Sequence, residues 1–211
     1  MRRYLTALAA LMFTACLGME TDIDIKQNGS GTINMTYRVA DSLFALGTLP
    51  GNENAPPVPV GKEDFERTFS RIPGMEMTLY SEKEDGDDRL FIVKAKFDKL
   101  DALVSFLDAH GEQAAIEHDN GKTILSLKLD IDGKFIDPEL APILPVIFEN
   151  YSFDFKISLP RNCEALYTDG DGVEIPALPF GETTFTAKSA TFHAPMADLF
   201  SGVPASLVIR W

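Results

Sequence analysis

The sequence predicts an α+β fold: a largely antiparallel sheet built from β-hairpins, with helices packed on one face. Three observations predict it. Stretch after stretch alternates apolar with polar residues, the period of a half-buried strand. Glycine-containing turns such as Asn28-Gly29 and Asn120-Gly121 join pairs of these stretches, the strongest short-range hairpin signal. Two intervening segments switch instead to the 3.6-residue apolar spacing of a helix.

The elements follow in chain order. Arg2 and Arg3 open the chain, and Tyr4 to Phe13 then carries no charge. That run is too short to cross a bilayer, which takes about 20 apolar residues; it fits the apolar region of a secretory signal peptide. An ordinary signal peptidase wants small residues at −3 and −1, and cutting before Cys16 would put bulky Phe13 at −3. Phe13-Thr14-Ala15-Cys16 instead looks like a bacterial lipobox, in which the cysteine thiol receives diacylglycerol and the freed amine a further acyl chain. The commoner motif has Leu at −3, so Phe13 is a departure, of a kind that relaxed spirochaete lipoboxes resemble. The competing reading is a plain secreted protein cut after Thr14-Ala15-Cys16 or further along. On the lipobox reading residues 1–15 are a signal peptide, 16–21 a lipidated tether and 22–211 one α+β domain. One acyl chain holds a protein only marginally, whereas two or more anchor it stably.

Beyond the tether, Ile23 and Ile25 and then Ile33, Met35, Tyr37 and Val39 alternate with polar residues around Asn28-Gly29-Ser30-Gly31. Asp41-Ser42 is placed to cap a short helix over Leu43 to Leu46, and "GTLPGNENAPPVPVG" reads as a surface loop. Phe65, Phe69 and Ile72 then mark a helix with Glu63 and Asp64 in its first turn and Pro73-Gly74 at its end. A second hairpin follows: Met75, Met77 and Leu79 alternate outward, "EKEDGDDR" turns, and Phe91, Val93, Ala95 and Phe97 return. Asp98 is expected to cap a helix bearing Leu100, Leu103, Val104 and Leu107. A third round runs from Ala114 to His118, through Asp119-Asn120-Gly121, to Leu125, Leu127, Leu129 and Ile131, so that strand-turn-strand-helix units repeat. In "FIDPELAPILPVIFENY", Pro138 suits the first turn of a helix, but Pro142 and Pro145 interrupt one; a broken helix is expected. The last third is strand-rich: Tyr151 to Leu159 alternates cleanly up to Pro160, Thr183 to Ala187 reads as a strand, Met196 to Phe200 as a helical turn. "ASLVIRW", ending on the only Trp, is expected to pair into the sheet.

Composition narrows the classes of function. The net charge is −13, and loss of Arg2 and Arg3 with the signal makes the mature chain two charges more acidic. Nucleic acid is excluded as a partner on this ground, since phosphate recognition needs clustered Lys and Arg. The 45% hydrophobic and 10% aromatic content supports a packed core rather than disorder. With Cys16 acylated, Cys163 has no intramolecular disulfide partner, and an inert buried thiol is expected.

Chemistry-bearing patterns are sparse. His110, His118 and His193 sit in separate segments without metal-ligand spacing, and His110 suits a helix C-terminus. Neither a nucleophile elbow, a P-loop nor a dinucleotide fingerprint occurs; "NGSG" joins strand to strand and reads as a turn. The acidic clusters Glu82 to Asp88 and Asp169, Asp171 and Glu174 lack the ordered oxygen set of a calcium loop. No cofactor, metal or catalytic residue is therefore assigned. The apolar face of Leu140, Ile143, Leu144, Ile147 and Phe148 is the candidate lining for an acyl chain, with core packing as the alternative.

The signal ending at Cys16, the strand "DIDIKQNGSGTINMTYRV", the late "FDFKISLPRN" and the closing "SLVIRW" together resemble bacterial envelope lipoproteins of the LppM type. The resemblance implies an α+β sheet domain proposed to bind lipid or glycolipid. Pro160-Arg161 departs from the Pro-Gly usual there. Many members also carry a C-terminal membrane helix that this sequence lacks, so Cys16 is expected to anchor alone. The expectation from sequence is a non-enzymatic lipoprotein of the bacterial cell envelope, facing the periplasm or the surface. It is held to the membrane by N-terminal acyl chains and handles lipid or glycolipid; the alternative is a structural or assembly lipoprotein that binds another envelope protein.

Overall fold

A computed structural model describes residues 18–40, 61–86, 88–108, 113–130, 148, 150–200 and 202–211. Twelve strands, two α-helices and a 3-10 turn are described, so the protein is β-rich, and its sheets are predominantly antiparallel.

The first hairpin pairs β1 (Gly18–Ile25) with β2 (Gly31–Ala40) from Gly18↔Arg38 to Ile25↔Gly31. Its turn is closed by the Lys26 N–H donating to the Ser30 carbonyl at 2.8 Å, with Gly29 at φ +81°. The Asn28 carboxamide oxygen accepts from the Ser30 backbone and hydroxyl, which is the local bonding that favours Asn in turns. Gly31 belongs to the strand and not to the turn: the ring of its cross-strand partner Phe97 fills the space a side chain would take.

β1 begins at Gly18, four residues before the domain boundary read at residue 22. The segment 18–21, expected as tether, is paired on both sides: Met19 and Thr21 are buried, with β2 on one flank and Phe153 and Phe155 on the other. Met19 and Thr21 continue the inward positions of Ile23 and Ile25, so the alternation extends further towards the N-terminus than the isoleucines alone suggested.

α1 (Lys62–Ser70) buries Phe65 and Phe69. The second hairpin, β3 (Met75–Asp85) with β4 (Asp88–Phe97), follows it and joins β2 through β4. Here the simple alternation fails. A bulge at Thr78, whose hydroxyl donates to the Lys94 carbonyl at 3.2 Å, shifts the register between Met77 and Leu79. Because side chains alternate with period two, one extra residue turns the rest of the strand over. Tyr80 therefore faces Phe91 and Phe65, while Leu79 points out, 42% exposed.

α2 (Leu100–Leu107) buries Ala102, Leu103, Phe106 and Leu107. The expected Asp98 cap is absent: Lys99 occupies the cap position without a side-chain bond, and the Asp98 carboxylate lies instead over Gly74, whose carbonyl accepts the Asp98 N–H.

The third hairpin, β5 (Ala114–Asp119) with β6 (Lys122–Lys128), leaves the first sheet. Together with β8 (Glu164–Asp169), β9 (Glu174–Ile175) and β12 (Ala205–Arg210) it forms a second sheet ordered β5-β6-β12-β8-β9. The first sheet is completed by β7 (Ser152–Ser158), β10 (Glu182–Thr186) and β11 (Ser189–Pro195), in the order β10-β11-β7-β1-β2-β4-β3. The architecture is thus two sheets rather than one, and β1–β7 is the parallel pair between the outer hairpins. The C-terminal strand does pair as expected, β12 lying central in its sheet with the Trp211 backbone bonded to Thr123 at both its N–H and its carbonyl.

Large side chains from both sheets and both helices meet in one core. Tyr37 and Phe91 stack at 4.6 Å; Phe65 tilts against Tyr37 at 5.6 Å, and Phe69 stacks on Phe106 at 5.5 Å. Each such ring removed from water contributes about 1.5–3 kcal/mol, so the phenylalanines act first as packing.

Candidate functional site

Two places in the fold bear on the sequence-derived sites: the N-terminal end of β1, and the apolar space between the sheets.

Cys16 lies outside the described residues, as do Leu140, Ile143, Leu144 and Ile147 of the candidate lining. Phe148 is described. It is 2% exposed and stacks on Phe200 at 4.8 Å with the rings 2° from parallel. Its carbonyl accepts the Tyr151 N–H. At this position core packing, the alternative left open from sequence, is what the ring does.

The start of β1 is tightly built. The Tyr151 ring lies against Gly18, where a Cβ would meet its Cδ1 at 3.2 Å, and the Tyr151 hydroxyl donates to Asp88 at 2.9 Å. Tyr151 thereby bridges from the start of β7 across β1 and β2 to the start of β4. The Met196 N–H donates to the Tyr151 carbonyl, which ties in the 3-10 turn Met196–Phe200. Arg38, opposite Gly18, pairs with Asp85 at the end of β3.

Between the sheets, Leu107, Leu127, Leu129, Phe153, Phe155 and Leu199, with Gln113, Lys128 and Asp130, line a cavity of about 40 Å³. That is room for a few waters, about a tenth of a small-molecule pocket of 300–1,000 Å³. Asp130 is 4% exposed there; its carboxylate accepts the Ala205 N–H at 3.3 Å and lies 3.8 Å from the Lys128 ammonium. A buried carboxylate held by a cation and a backbone donor is satisfied, and it closes the end of β6 onto the start of β12.

The acidic clusters are absorbed by structure. Glu82 takes the Tyr80 hydroxyl at 3.0 Å and lies 3.5 Å from Arg89. Burial, reinforced by that hydrogen bond and by the charges of Glu82 and Asp64, pushes the Tyr80 phenol up to about 12. Asp169 accepts the Asp171 and Val173 N–H groups at 3.0 and 2.9 Å, a side-chain-closed turn. Among the described residues no group of three His, Cys, Asp or Glu is arranged to hold a metal ion, and no helix is long and apolar enough to cross a membrane.

The topology gathers one cluster that sequence reasoning missed. On the outer face of the first sheet, His193 Nδ1 lies 2.7 Å from one Asp154 oxygen, while the Ser152 hydroxyl donates to the other at 2.6 Å. Ser152 and Asp154 are adjacent outward positions of one strand, but His193 joins them only because β11 pairs with β7. Nucleophilic catalysis needs the imidazole between serine and carboxylate; here the carboxylate stands between the other two, and His193 and Asp154 are both well exposed. The arrangement is a surface hydrogen-bond row. His118 contacts the Thr123 hydroxyl at 3.4 Å across its own hairpin; His110 lies outside the described residues. Cys163 is half-buried, its thiol 3.7 Å from the Thr186 carbonyl, and burial pushes its pKa up, away from the thiolate that reactive cysteines need.

No protein-family model matches the chain, and no curated protein matches it.

Proposed function

We propose that the chain is a non-enzymatic lipoprotein of the bacterial cell envelope, acylated at Cys16 and working beside the membrane by surface contact with another envelope protein. The observation that carries the anchor is the adjacency of two features: a lipobox-like Phe13-Thr14-Ala15-Cys16 and a folded, buried strand that starts at Gly18. Signal peptide, acylation site and domain follow one another with one residue, Leu17, between the modified cysteine and the first paired residue.

The assembly role is supported at Phe148, the one described residue of the candidate acyl lining, whose ring is buried against Phe200. The cavity lined by Leu107, Leu127, Phe153, Phe155 and Leu199 holds about 40 Å³, small beside the roughly 300–1,000 Å³ of a ligand pocket. The lipid-handling reading, which the resemblance to LppM-type lipoproteins implies, is favoured by the chemistry of the same cavity, since Phe153, Phe155 and four leucines wall it. The packing of α1 and α2 on one face of the larger sheet belongs to the proposal too. It is supported by Phe65 against Tyr37 and by Phe69 against Phe106.

Expression of the full chain and of Cys16→Ser in a bacterial host, followed by detergent phase partitioning, tests the anchor. The parent chain partitions with the detergent and the variant with the aqueous phase; a parent chain found in the aqueous phase would remove the proposal. Crosslinking in cells then separates the roles of the body, one dominant protein adduct supporting assembly.

A further inference from the structure

We infer that the open edge of the seven-stranded sheet at β10 is a self-association surface, on which a second copy of this chain pairs β10 against β10, antiparallel, about a two-fold axis at Thr184. The inference goes beyond the function proposed above and does not use the Cys16 anchor.

Strand parity fixes what the edge offers. The Lys188 carbonyl accepts the Leu159 N–H, and the Met196 N–H donates to the Tyr151 carbonyl. These bonds continue the β11–β7 register at even-numbered positions of β11. Hydrogen-bonded pairs alternate along an antiparallel ladder, so Ala190, Phe192 and Ala194 bond to β7, while Ser189, Thr191 and His193 turn to β10. Their partners Glu182, Thr184 and Thr186 direct their backbone groups to β11. Thr183 and Phe185 therefore present their N–H and C=O groups to the open edge, beyond which no further strand lies among the described residues.

The sheet edges differ in protection. An unpaired edge invites pairing unless a bulge, charge, proline or shortness blunts it. β3, the opposite edge of this sheet, has the Thr78 bulge and carries Glu82, Lys83, Glu84 and Asp85. In the five-stranded sheet, β5 ends in Glu117, His118 and Asp119, and β9 has two residues before Pro176. β10 reads Glu-Thr-Thr-Phe-Thr, with neither bulge nor proline and with charge only at its first residue. Glu182, Thr184, Phe185 and Thr186 are exposed. Phe185 sits on the core face of this edge, opposite buried Ala190, yet is 39% exposed and touches Tyr167 with ring centroids 5.9 Å apart.

A second copy fits because the strand is complementary to itself. Centring on Thr184 sets Thr184 opposite the partner's Thr184, Thr183 opposite the partner's Phe185 and Glu182 opposite the partner's Thr186. The two Thr183–Phe185 pairs use the free backbone groups and extend the core face. Aromatic–β-branched and Thr–Thr pairs of this kind are favourable across strands, and no like charges oppose. Neighbouring centres fail. Pairing about Phe185 would need the Ala187 carbonyl, which already accepts the Cys163 N–H at 2.8 Å. Pairing about Thr183 would need Gly181, whose φ of +69° leaves the strand. The contact is isologous, and its axis stands perpendicular to the sheet, so the two Gly18 ends are level along it.

The test is disulfide trapping of the full chain in bacterial membranes, every variant carrying Cys163→Ser. The Thr184 pair is a non-hydrogen-bonded one, with Cα atoms about 4.5 Å apart, within disulfide reach. Thr184→Cys should give a covalent dimer roughly tenfold more abundant than Glu76→Cys on the β3 edge does. Glu182→Cys and Thr186→Cys should crosslink when coexpressed and not singly, which reads the register. Phe185→Lys, an inward charge at the open edge, should suppress the Thr184→Cys dimer. A Thr184→Cys dimer no more abundant than that of Glu76→Cys overturns the inference. So does equal crosslinking of Glu182→Cys or Thr186→Cys alone and together, or an adduct of Thr184→Cys with a different protein in place of the dimer.

Discussion

Replacement of Gly31 by alanine is the sharpest probe of how the central hairpin is built. A Cβ added at Gly31 would stand 2.0 Å from the Asp24 carbonyl oxygen and 2.3 Å from Cζ of Phe97. The first atom is backbone in the β1–β2 ladder and the second is a ring 2% exposed in the core, so neither moves freely. Relieving the carbonyl contact requires a shift of more than about 1 Å in β1, the strand that holds the two halves of the sheet together. Overpacking of this kind costs about 1–3 kcal/mol, and a weakened ladder hydrogen bond adds about 1 kcal/mol. An approach of 2.0 Å to backbone puts the overpacking cost at the top of that range, and because the lower backbone entropy of alanine returns about 0.5–1 kcal/mol, the net loss is about 3 kcal/mol. For a domain of this size that lowers Tm by about 6–12 °C, to be read by calorimetry and by urea unfolding. Gly86→Ala supplies the control. Gly86 has φ +71° but nothing within 4 Å, so only the left-handed backbone penalty applies, about 1–2 kcal/mol. A Gly31→Ala protein no less stable than Gly86→Ala would refute the packing described for this hairpin.

Tyr80 should titrate late. Its phenol is pushed up to about 12 from an ordinary value of 10, so the neutral form is favoured in the fold; that contribution to stability is whole below pH 10 and disappears as pH rises through 12. The phenolate absorbance lost in Tyr80→Phe should therefore develop well above pH 10, and a difference signal centred near pH 10 would contradict the burial of its ring against Phe65 and Phe91. Phe155→Ala, at the cavity wall and 5% exposed, should cost about 3–5 kcal/mol and leave the purified domain free of bound lipid in native mass spectrometry. Lipid adducts on the parent and the variant would transfer support to the lipid-handling role.

The parts of the fold legible in sequence are those that local rules determine. Asn28-Gly29 with alternating isoleucines specified the first hairpin, and the apolar spacing of Phe65 and Phe69 specified α1 and its buried face. The misreadings each arose from a non-local determinant. The bulge at Thr78 is invisible in an apolar pattern, because Met75, Met77 and Leu79 alternate perfectly until one residue is skipped. The assignment of the third hairpin to a separate sheet depends on β12, 77 residues after the end of β6 by the bounds Lys128 and Ala205. Pairing of β1 with β7 in parallel likewise joins strands more than a hundred residues apart. The Ser152, Asp154 and His193 row follows from strand order alone, so no spacing rule would have found it. Of the candidate site residues, Phe148 was apolar for the ordinary reason, a place in the core.

The central claim is chemical and concerns one sulfur. Intact-mass and N-terminal peptide analysis of the protein isolated from bacterial membranes measures it directly. The account predicts a mature chain whose first residue is Cys16, with a diacylglycerol thioether on Sγ and an acyl group on its amine. A mature chain cleaved beyond Cys16, or one that begins at Cys16 with an unmodified thiol, would contradict it.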